Sequence, residues 1–206
     1  MTIAPEGRLI VGVVLAAAIV TAFVWGAMSW PLWVVALFVA QFFRDPKRNI
    51  KVSDDEVVSP ADGRVVFVGR ALSPADGAEM IKISVFMNVF NVHVNRSPVA
   101  GKVVRSQRFA GSFFNAALDK ASEQNERHMI VIDGGHGEIT CVQIAGLLAR
   151  RVLCYAKEGD MLSGGERYGF IRFGSRADLY LPLNMKPAVA LGDTVVAGIT
   201  RVAAPS

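Results

Sequence analysis

The Gly174–Ser175 bond, inside Arg-Phe-Gly-Ser-Arg-Ala-Asp-Leu-Tyr-Leu-Pro (172–182), is a place where this chain could act on itself. A serine hydroxyl held against its own preceding carbonyl can attack it and turn the amide into an ester. β-Elimination then breaks the chain and leaves a dehydroalanine, which hydrolyses to a pyruvoyl group. Glycine suits the position before the serine, because it accepts strained or positive φ values and leaves the carbonyl uncrowded. Phe170, Ile171 and Phe173 lead in and Leu179, Tyr180 and Leu181 lead out, so two strand-like runs flank the bond. A glycine bulge or tight turn accounts for the same letters without chemistry. Gly111–Ser112 is the only other Gly-Ser bond, and a polar run rather than a strand follows it.

Proton transfer near such a bond needs a base. His93, in Phe90-Asn-Val-His-Val-Asn-Arg-Ser-Pro98, is one of three histidines and has the side chain whose ordinary pKa of about 6.5 suits neutral pH. Strand alternation would put Asn91, His93 and Asn95 on one polar face, where a histidine is commonly just solvated. Asp62 lies in Ser59-Pro-Ala-Asp-Gly63, which is also a good turn. Ser73-Pro-Ala-Asp-Gly77 repeats the five letters, so only position can separate Asp62 from Asp76. His128 and His136 stand apart from His93 without ligand spacing, and no metal is expected. Cys141 and Cys154 sit in apolar runs without a CxxC and read as buried thiols.

The elements that must position these residues come in two kinds. From Leu9 to Phe43 no residue is charged, and the run is broken only by Gly26-Ala-Met-Ser-Trp-Pro31. A helix over Leu9–Trp30 would run about 33 Å, enough for a hydrocarbon core of roughly 30 Å, while Leu32–Phe43 would reach only about 18 Å. One span with an interfacial tail and a shallow hairpin both fit. Arg8 before the stretch, Arg44, Lys47 and Arg48 after it, and no charge at the turn favour a hairpin with both ends cytoplasmic. Trp25, Trp30 and Trp33 around the turn suit an interface. Residues 1–48 are therefore expected to be a membrane anchor with a basic hinge, whose Arg44, Lys47 and Arg48 can meet lipid head groups.

Residues 49–206 read as one β domain. Short β-type runs recur at Val65–Val68, Met80–Phe86, Val99–Val104, Met129–Ile132, Ile139–Ile144, Arg151–Ala156 and Phe170–Phe173, separated by glycine, proline and aspartate clusters. Ala116–Arg127 is the one expected helix there, or an ordered polar loop. Ser59-Pro-Ala-Asp-Gly-Arg-Val65 is echoed by Ser97-Pro-Val-Ala-Gly-Lys-Val103, and Glu158-Gly-Asp160 by Leu191-Gly-Asp193. The expected architecture is all-β, like a barrel-sandwich hybrid, behind an N-terminal helical hairpin. No lysine hairpin marks a biotinyl or lipoyl carrier. The net charge of +4 is spread along the chain, four basic and two acidic residues falling in 1–48, so no nucleic-acid partner is expected.

Taken in order, Phe42-Phe-Arg-Asp-Pro46, Ser59-Pro-Ala-Asp-Gly63, Asn91-Val-His-Val-Asn-Arg96, Gly111–Arg127, Ile144-Ala-Gly-Leu-Leu-Ala-Arg-Arg151, Glu158-Gly-Asp160 and Gly165-Glu-Arg-Tyr-Gly-Phe-Ile-Arg-Phe-Gly-Ser-Arg176 resemble the short phosphatidylserine decarboxylase proenzymes. The resemblance covers essentially the whole chain. It implies self-cleavage between Gly174 and Ser175 into 1–174 and 175–206, with Ser175 becoming a covalent pyruvoyl cofactor. It implies catalytic roles for Ser175, His93 and Asp62, with Asp62 orienting and charge-stabilising His93 as His93 takes the serine proton. It further implies decarboxylation of phosphatidylserine to phosphatidylethanolamine through a Schiff base to the pyruvoyl group, at the inner membrane with the β domain on the cytoplasmic side. The partners implied are a phospholipid substrate, the membrane and the two fragments of one chain, and a homo-oligomer is compatible with the reading. Two features differ from longer family members: Phe90 stands where they have a second histidine, and Phe-Gly-Ser-Arg, as in short members, replaces Leu-Gly-Ser-Thr or Gly-Gly-Ser-Thr. The same chemistry on archaetidylserine, and a membrane-tethered β module that binds without catalysing, are the alternatives.

Overall fold

An uncharged run must bury its backbone polar groups within itself, and the N-terminal segment does so as two helices. The computed structural model describes residues 2–53, 55–111, 125–146, 151–172 and 174–206. The chain divides into two units, Met1–Lys47 and Arg48–Ser206. In the first, β1 (Thr2–Ile3) leads to α1 (Pro5–Trp25), a 3-10 turn (Gly26–Ser29), α2 (Trp30–Phe42) and β2 (Arg44–Asp45). Thr2 pairs with Asp45 and Ile3 with Arg44, antiparallel, so the segment is a hairpin that ends beside its start. Gly7 permits this closure, since a Cβ there would lie 2.2 Å from the Phe43 ring. The break between the helices comes earlier than expected. Gly26 closes α1 with φ +55, and Pro31 sits in the first turn of α2, where a missing N–H costs nothing. Pro5–Phe42 is long and apolar enough to cross a membrane by length and composition. Most of the exposed large hydrophobic side chains of the described residues lie in it, Phe23, Trp25, Met28 and Leu37 among them.

The second unit is a succession of short strands. They are β3 (Val57–Val58), β4 (Gly63–Leu72), β5 (Glu79–Met87), β6 (Val94–Arg96), β7 (Gly101–Phe109), β8 (Arg127–Gly134) and β9 (Gly137–Ile144). There follow β10 (Val152–Cys154), β11 (Met161–Leu162), β12 (Arg167–Ile171), β13 (Ser175–Leu181), β14 (Met185–Pro187), β15 (Thr194–Val195) and β16 (Arg201–Pro205). One antiparallel sheet runs β11-β7-β8-β9-β13-β5-β4-β15, and two smaller sheets run β10-β12-β6 and β14-β16-β3. Register shifts at Val65/Phe67 and Val103/Arg105 add local twist to the large sheet. The expected helix at 116–127 lies mostly outside the described residues, and its last member, Arg127, opens β8.

Strand β13 is central, paired with β5 on one side and β9 on the other, and all seven of its residues are buried. Its period of two sends Ala177, Leu179 and Leu181 into the main core with Ile83 and Val85. Tyr180 enters a second core on the opposite face with Met129, Val142 and Ile144.

The repeated sequences fold into repeated geometry. Ser59 Oγ donates to Ala61 O and Ser97 Oγ to Val99 O, both at 2.7 Å. Gly192 N–H bonds Val65 O and Val65 N–H bonds Asp193 O; Gly159 N–H bonds Val103 O and Val103 N–H bonds Asp160 O, all four at 2.8 Å. Asp193 Oδ2 accepts from Ala190 N–H, as Asp160 Oδ2 does from Lys157 N–H, again at 2.8 Å. Glycine is required at matching points: a Cβ on Gly63 would lie 2.1 Å from Phe86 O, and one on Gly101 would lie 2.3 Å from Asp133 O. Two copies of one turn-and-strand device thus hold β4 with β15 and β7 with β11.

Candidate active site

The Gly174–Ser175 bond lies where the chain crosses between sheets, for β12 pairs with β6 and β10, whereas β13 pairs with β5 and β9. Gly174 has φ +54, a left-handed value that side-chain-bearing residues resist, and among the described residues nothing lies within 4 Å of where a Cβ would be. Ser175 opens β13 opposite Met87 with no exposed surface, and its Oγ is 3.8 Å from the Met87 Sδ. A thioether is a weak acceptor, so the hydroxyl is not committed to a strong hydrogen bond there. A glycine with open space at its Cβ position, followed by a buried, weakly held hydroxyl, fits conversion of Ser175 into a pyruvoyl group.

His93 is not on a solvated strand face. Asn91 N–H bonds Asn88 O and Asn91 Oδ1 accepts from Asn88 N–H, so 88–91 is a turn, and β6 begins only at Val94. The alternation expected over 90–95 therefore fails: Phe90 is 65% exposed, while Val92, His93, Val94 and Asn95 are all buried. The His93 Nδ1 is 3.0 Å from Asn91 O. A carbonyl only accepts, so Nδ1 carries the proton and Nε2 is the basic nitrogen of the neutral ring. His93 O accepts from Ile171 N–H at 3.2 Å, which ties this segment to the strand leading to Gly174.

Position separates the two aspartates. Asp76 belongs to the exposed turn between β4 and β5, where Ala78 N–H donates to its carboxylate and holds its pKa below the ordinary value. Asp62 is nearly buried, with both oxygens on Arg48: Nη1 to Oδ1 and Nη2 to Oδ2, each 2.7 Å. Ala197 N–H adds a third bond to Oδ1 at 2.8 Å. The carboxylate of Asp62 thus bonds to Arg48 and Ala197 and not to His93. Arg48, expected at lipid head groups, instead belongs to the β unit; its fork is matched to a carboxylate that burial makes it costly to leave unpaired.

Other residues that join these pieces were not singled out from sequence. Asn95 Nδ2 reaches Pro60 O at 3.4 Å and Met87 Sδ at 3.9 Å, and Arg96 N–H also bonds Pro60 O. The turn carrying Asp62, the strand after His93 and the neighbour of Ser175 therefore meet at Asn95. Gln143 orients it by donating from Nε2 to Asn95 Oδ1 at 2.8 Å and to Leu153 O at 3.3 Å. Gly169 makes room, since a Cβ there would lie 2.4 Å from that nitrogen. A glutamine inside the apolar run Ile139–Ile144 was the available signal. On the other face of β13, Arg176 binds Asp178 through Nε and Nη2 at 2.7 and 2.9 Å, and Lys82 lies 3.2 Å from the same carboxylate. The arginine that follows Ser175 thus belongs to a buried charge cluster in which Asp178 of β13 meets Lys82 of β5. Gly111 is described but Ser112 is not, so the rival bond falls outside the described residues.

The site thus sets a buried serine behind a left-handed glycine where an all-β unit passes from one sheet to another, with a buried histidine and a paired aspartate on adjoining segments. The family model for phosphatidylserine decarboxylase matches residues 35–203. A phosphatidylserine decarboxylase proenzyme of Polynucleobacter asymbioticus is 58% identical over 177 residues, covering 86% of this chain and 82% of its own length. Those of Ralstonia pickettii and Burkholderia cenocepacia are 52% and 50% identical, covering 93% and 98% of this chain and 90% and 95% of theirs. The chain belongs to the phosphatidylserine decarboxylase family and is a carboxy-lyase.

Proposed function

We propose that this chain cleaves itself between Gly174 and Ser175 and then decarboxylates phosphatidylserine to phosphatidylethanolamine at a membrane surface. The observation that carries the reading is the Gly174–Ser175 corner, with glycine at φ +54 and a fully buried serine hydroxyl whose partner among the described residues is a thioether. His93 Nε2 takes the Ser175 Oγ proton, and Oγ attacks the Gly174 carbonyl carbon. The C–N bond breaks as the C–O bond forms, which leaves an ester and a free amine on residue 175. Loss of the Ser175 Cα proton expels the Gly174 carboxylate and leaves dehydroalanine. Water then replaces its nitrogen as ammonia, and a ketone heads fragment 175–206. Asp62, held by Arg48, stands on the turn that Asn95 and Arg96 tie to the histidine segment.

The pyruvoyl group so formed supplies a ketone for the substrate amine and an electron sink for loss of carbon dioxide. Ser175 and His93 have no exposed surface in the uncut chain, so substrate access follows the chain break. The apolar hairpin would hold the β unit at the lipid, and the basic residues at both its ends with none at its turn favour the cytoplasmic side. Intact mass of wild type and Ser175→Ala tests the reading. Wild type should split into 1–174 and a 175–206 piece blocked to N-terminal sequencing, active on phosphatidylserine vesicles, with the variant whole. A piece beginning at 112 would move the centre to the rival bond. An uncut but active wild type would refute the pyruvoyl mechanism, and an uncut, inactive one would favour a binding module.

A further inference from the structure

We propose that Arg48 is a positioning residue for self-processing, acting by clamping the Asp62 carboxylate in its working place. The inference rests on the reading of Gly174–Ser175 and Asp62 given above. Arg48 and Asp62 side chains are 8% and 13% exposed, and the pair is closed into a ring: Arg48 Nη1 donates to Ala197 O at 2.6 Å, while Ala197 N–H donates to Asp62 Oδ1. The rigid guanidinium fork fixes both the place and the rotation of the carboxylate, which a single point charge would not.

The internal repeat says why this is more than a fold-stabilising pair. In Ser97-Pro-Val-Ala-Gly101 the counterpart of Asp62 is Ala100, and in Ser163-Gly-Gly165 the counterpart of Ala197 is Gly164. The second copy nevertheless makes closely similar contacts, one acceptor being shifted by a residue. Ser97 N–H bonds Glu166 O and Gly165 N–H bonds Ser97 O, as Ser59 N–H bonds Thr200 O and Gly198 N–H bonds Ser59 O. Gly165 and Gly198 have φ +76 and +71. The turn therefore folds without a carboxylate, with Arg96 Nη1 donating to its backbone at Gly165 O, 3.2 Å away. The copy that carries Asp62 and Arg48 is the one whose Pro60 O is held by Asn95 Nδ2 and Arg96 N–H, on the strand that follows His93. A charged pair added to one copy of a symmetric device, on the side of the buried histidine, is placed for the reaction.

The test follows the release of 175–206 from freshly made full-length chains by intact mass. Arg48→Gln should process about ten- to a hundredfold more slowly than wild type, the factor that losing a charge-assisted contact brings. Arg48→Lys keeps the charge but not the fork and should fall between them. Arg48→Gln/Asp62→Asn should be no slower than Asp62→Asn alone, because Arg48 acts through the carboxylate. Melting temperatures of the same variants on a Ser175→Ala background report folding separately from processing. Wild-type rates in both Arg48 variants would overturn the proposal. So would a double variant far slower than either single one, which would make the pair a prop for the fold. Should Arg48→Gln fail to fold, wild-type speed in Arg48→Lys would still overturn the fork's role. Wild-type speed in Asp62→Asn would overturn the role of Asp62 itself, and an uncut wild type the self-processing reading beneath both.

Discussion

Exchanging one atom at Asn95 tests whether a buried amide donor ties the site together. Asn95→Asp changes no volume but replaces the Nδ2 donor, which faces Pro60 O at 3.4 Å, with an oxygen. The other oxygen can still accept from Gln143 Nε2. An ionised carboxylate there would place a negative charge against a carbonyl at a position with no exposed surface. A protonated one restores a donor toward Pro60. The variant should therefore fold with the proton retained, while the unfolded chain releases it above about pH 3.9. Because the folded state binds the extra proton, stability falls as pH rises, by about 1.4 kcal/mol per unit. Keeping the proton at pH 7.5 costs up to about 5 kcal/mol, and at pH 5.5 about 2 kcal/mol. The larger figure rivals the whole stability of many domains. Urea melts in detergent at both pH values, on a Ser175→Ala background, give the deficit relative to the parent. A deficit that is absent, or equal at the two pH values, would refute the donor's role and leave Asn95 as filling.

Three further outcomes follow from single features. Gly63→Ala and Gly101→Ala should each lower stability by about 1–3 kcal/mol or more and by similar amounts, since each Cβ would meet a backbone oxygen of the neighbouring strand; urea melts check both size and match. Burial pushes Cys154 up to about 11 and Cys141 higher still, so iodoacetamide at pH 8 should label neither in the folded protein and both in urea, as read by mass. Burial and the Arg108 charge lower the His128 pKa, while Ser106 Oγ lies 2.9 Å from its Nε2. The unfolded histidine takes its proton first as pH falls. The stability that neutral His128 supplies is thus present above about pH 6.5 and lost below it, and thermal melts of His128→Gln should lack that loss.

Local chemistry was written in the sequence. Thirty-five uncharged residues compel a helical, lipid-compatible segment, and valine-rich runs between glycine–aspartate turns compel short strands. The pairing of Ser59 with Ser97 and of Asp193 with Asp160 was legible too, because turn geometry depends on residues a few positions apart. A glycine before Ser175 likewise announced the left-handed value found there. Tertiary structure alone decided which partners the polar groups take. His93 is buried because a turn at 88–91 breaks the alternation, and no period-two count can see that. Asp62 and Asp76 share five letters and differ only in what packs on them, Arg48 from fourteen residues upstream or open solvent. Gln143 meets Asn95 across forty-eight residues. Charge pairs and buried amides are matched through space, where burial sets the penalty for an unpaired group, so their partners emerge only when the chain has closed upon itself.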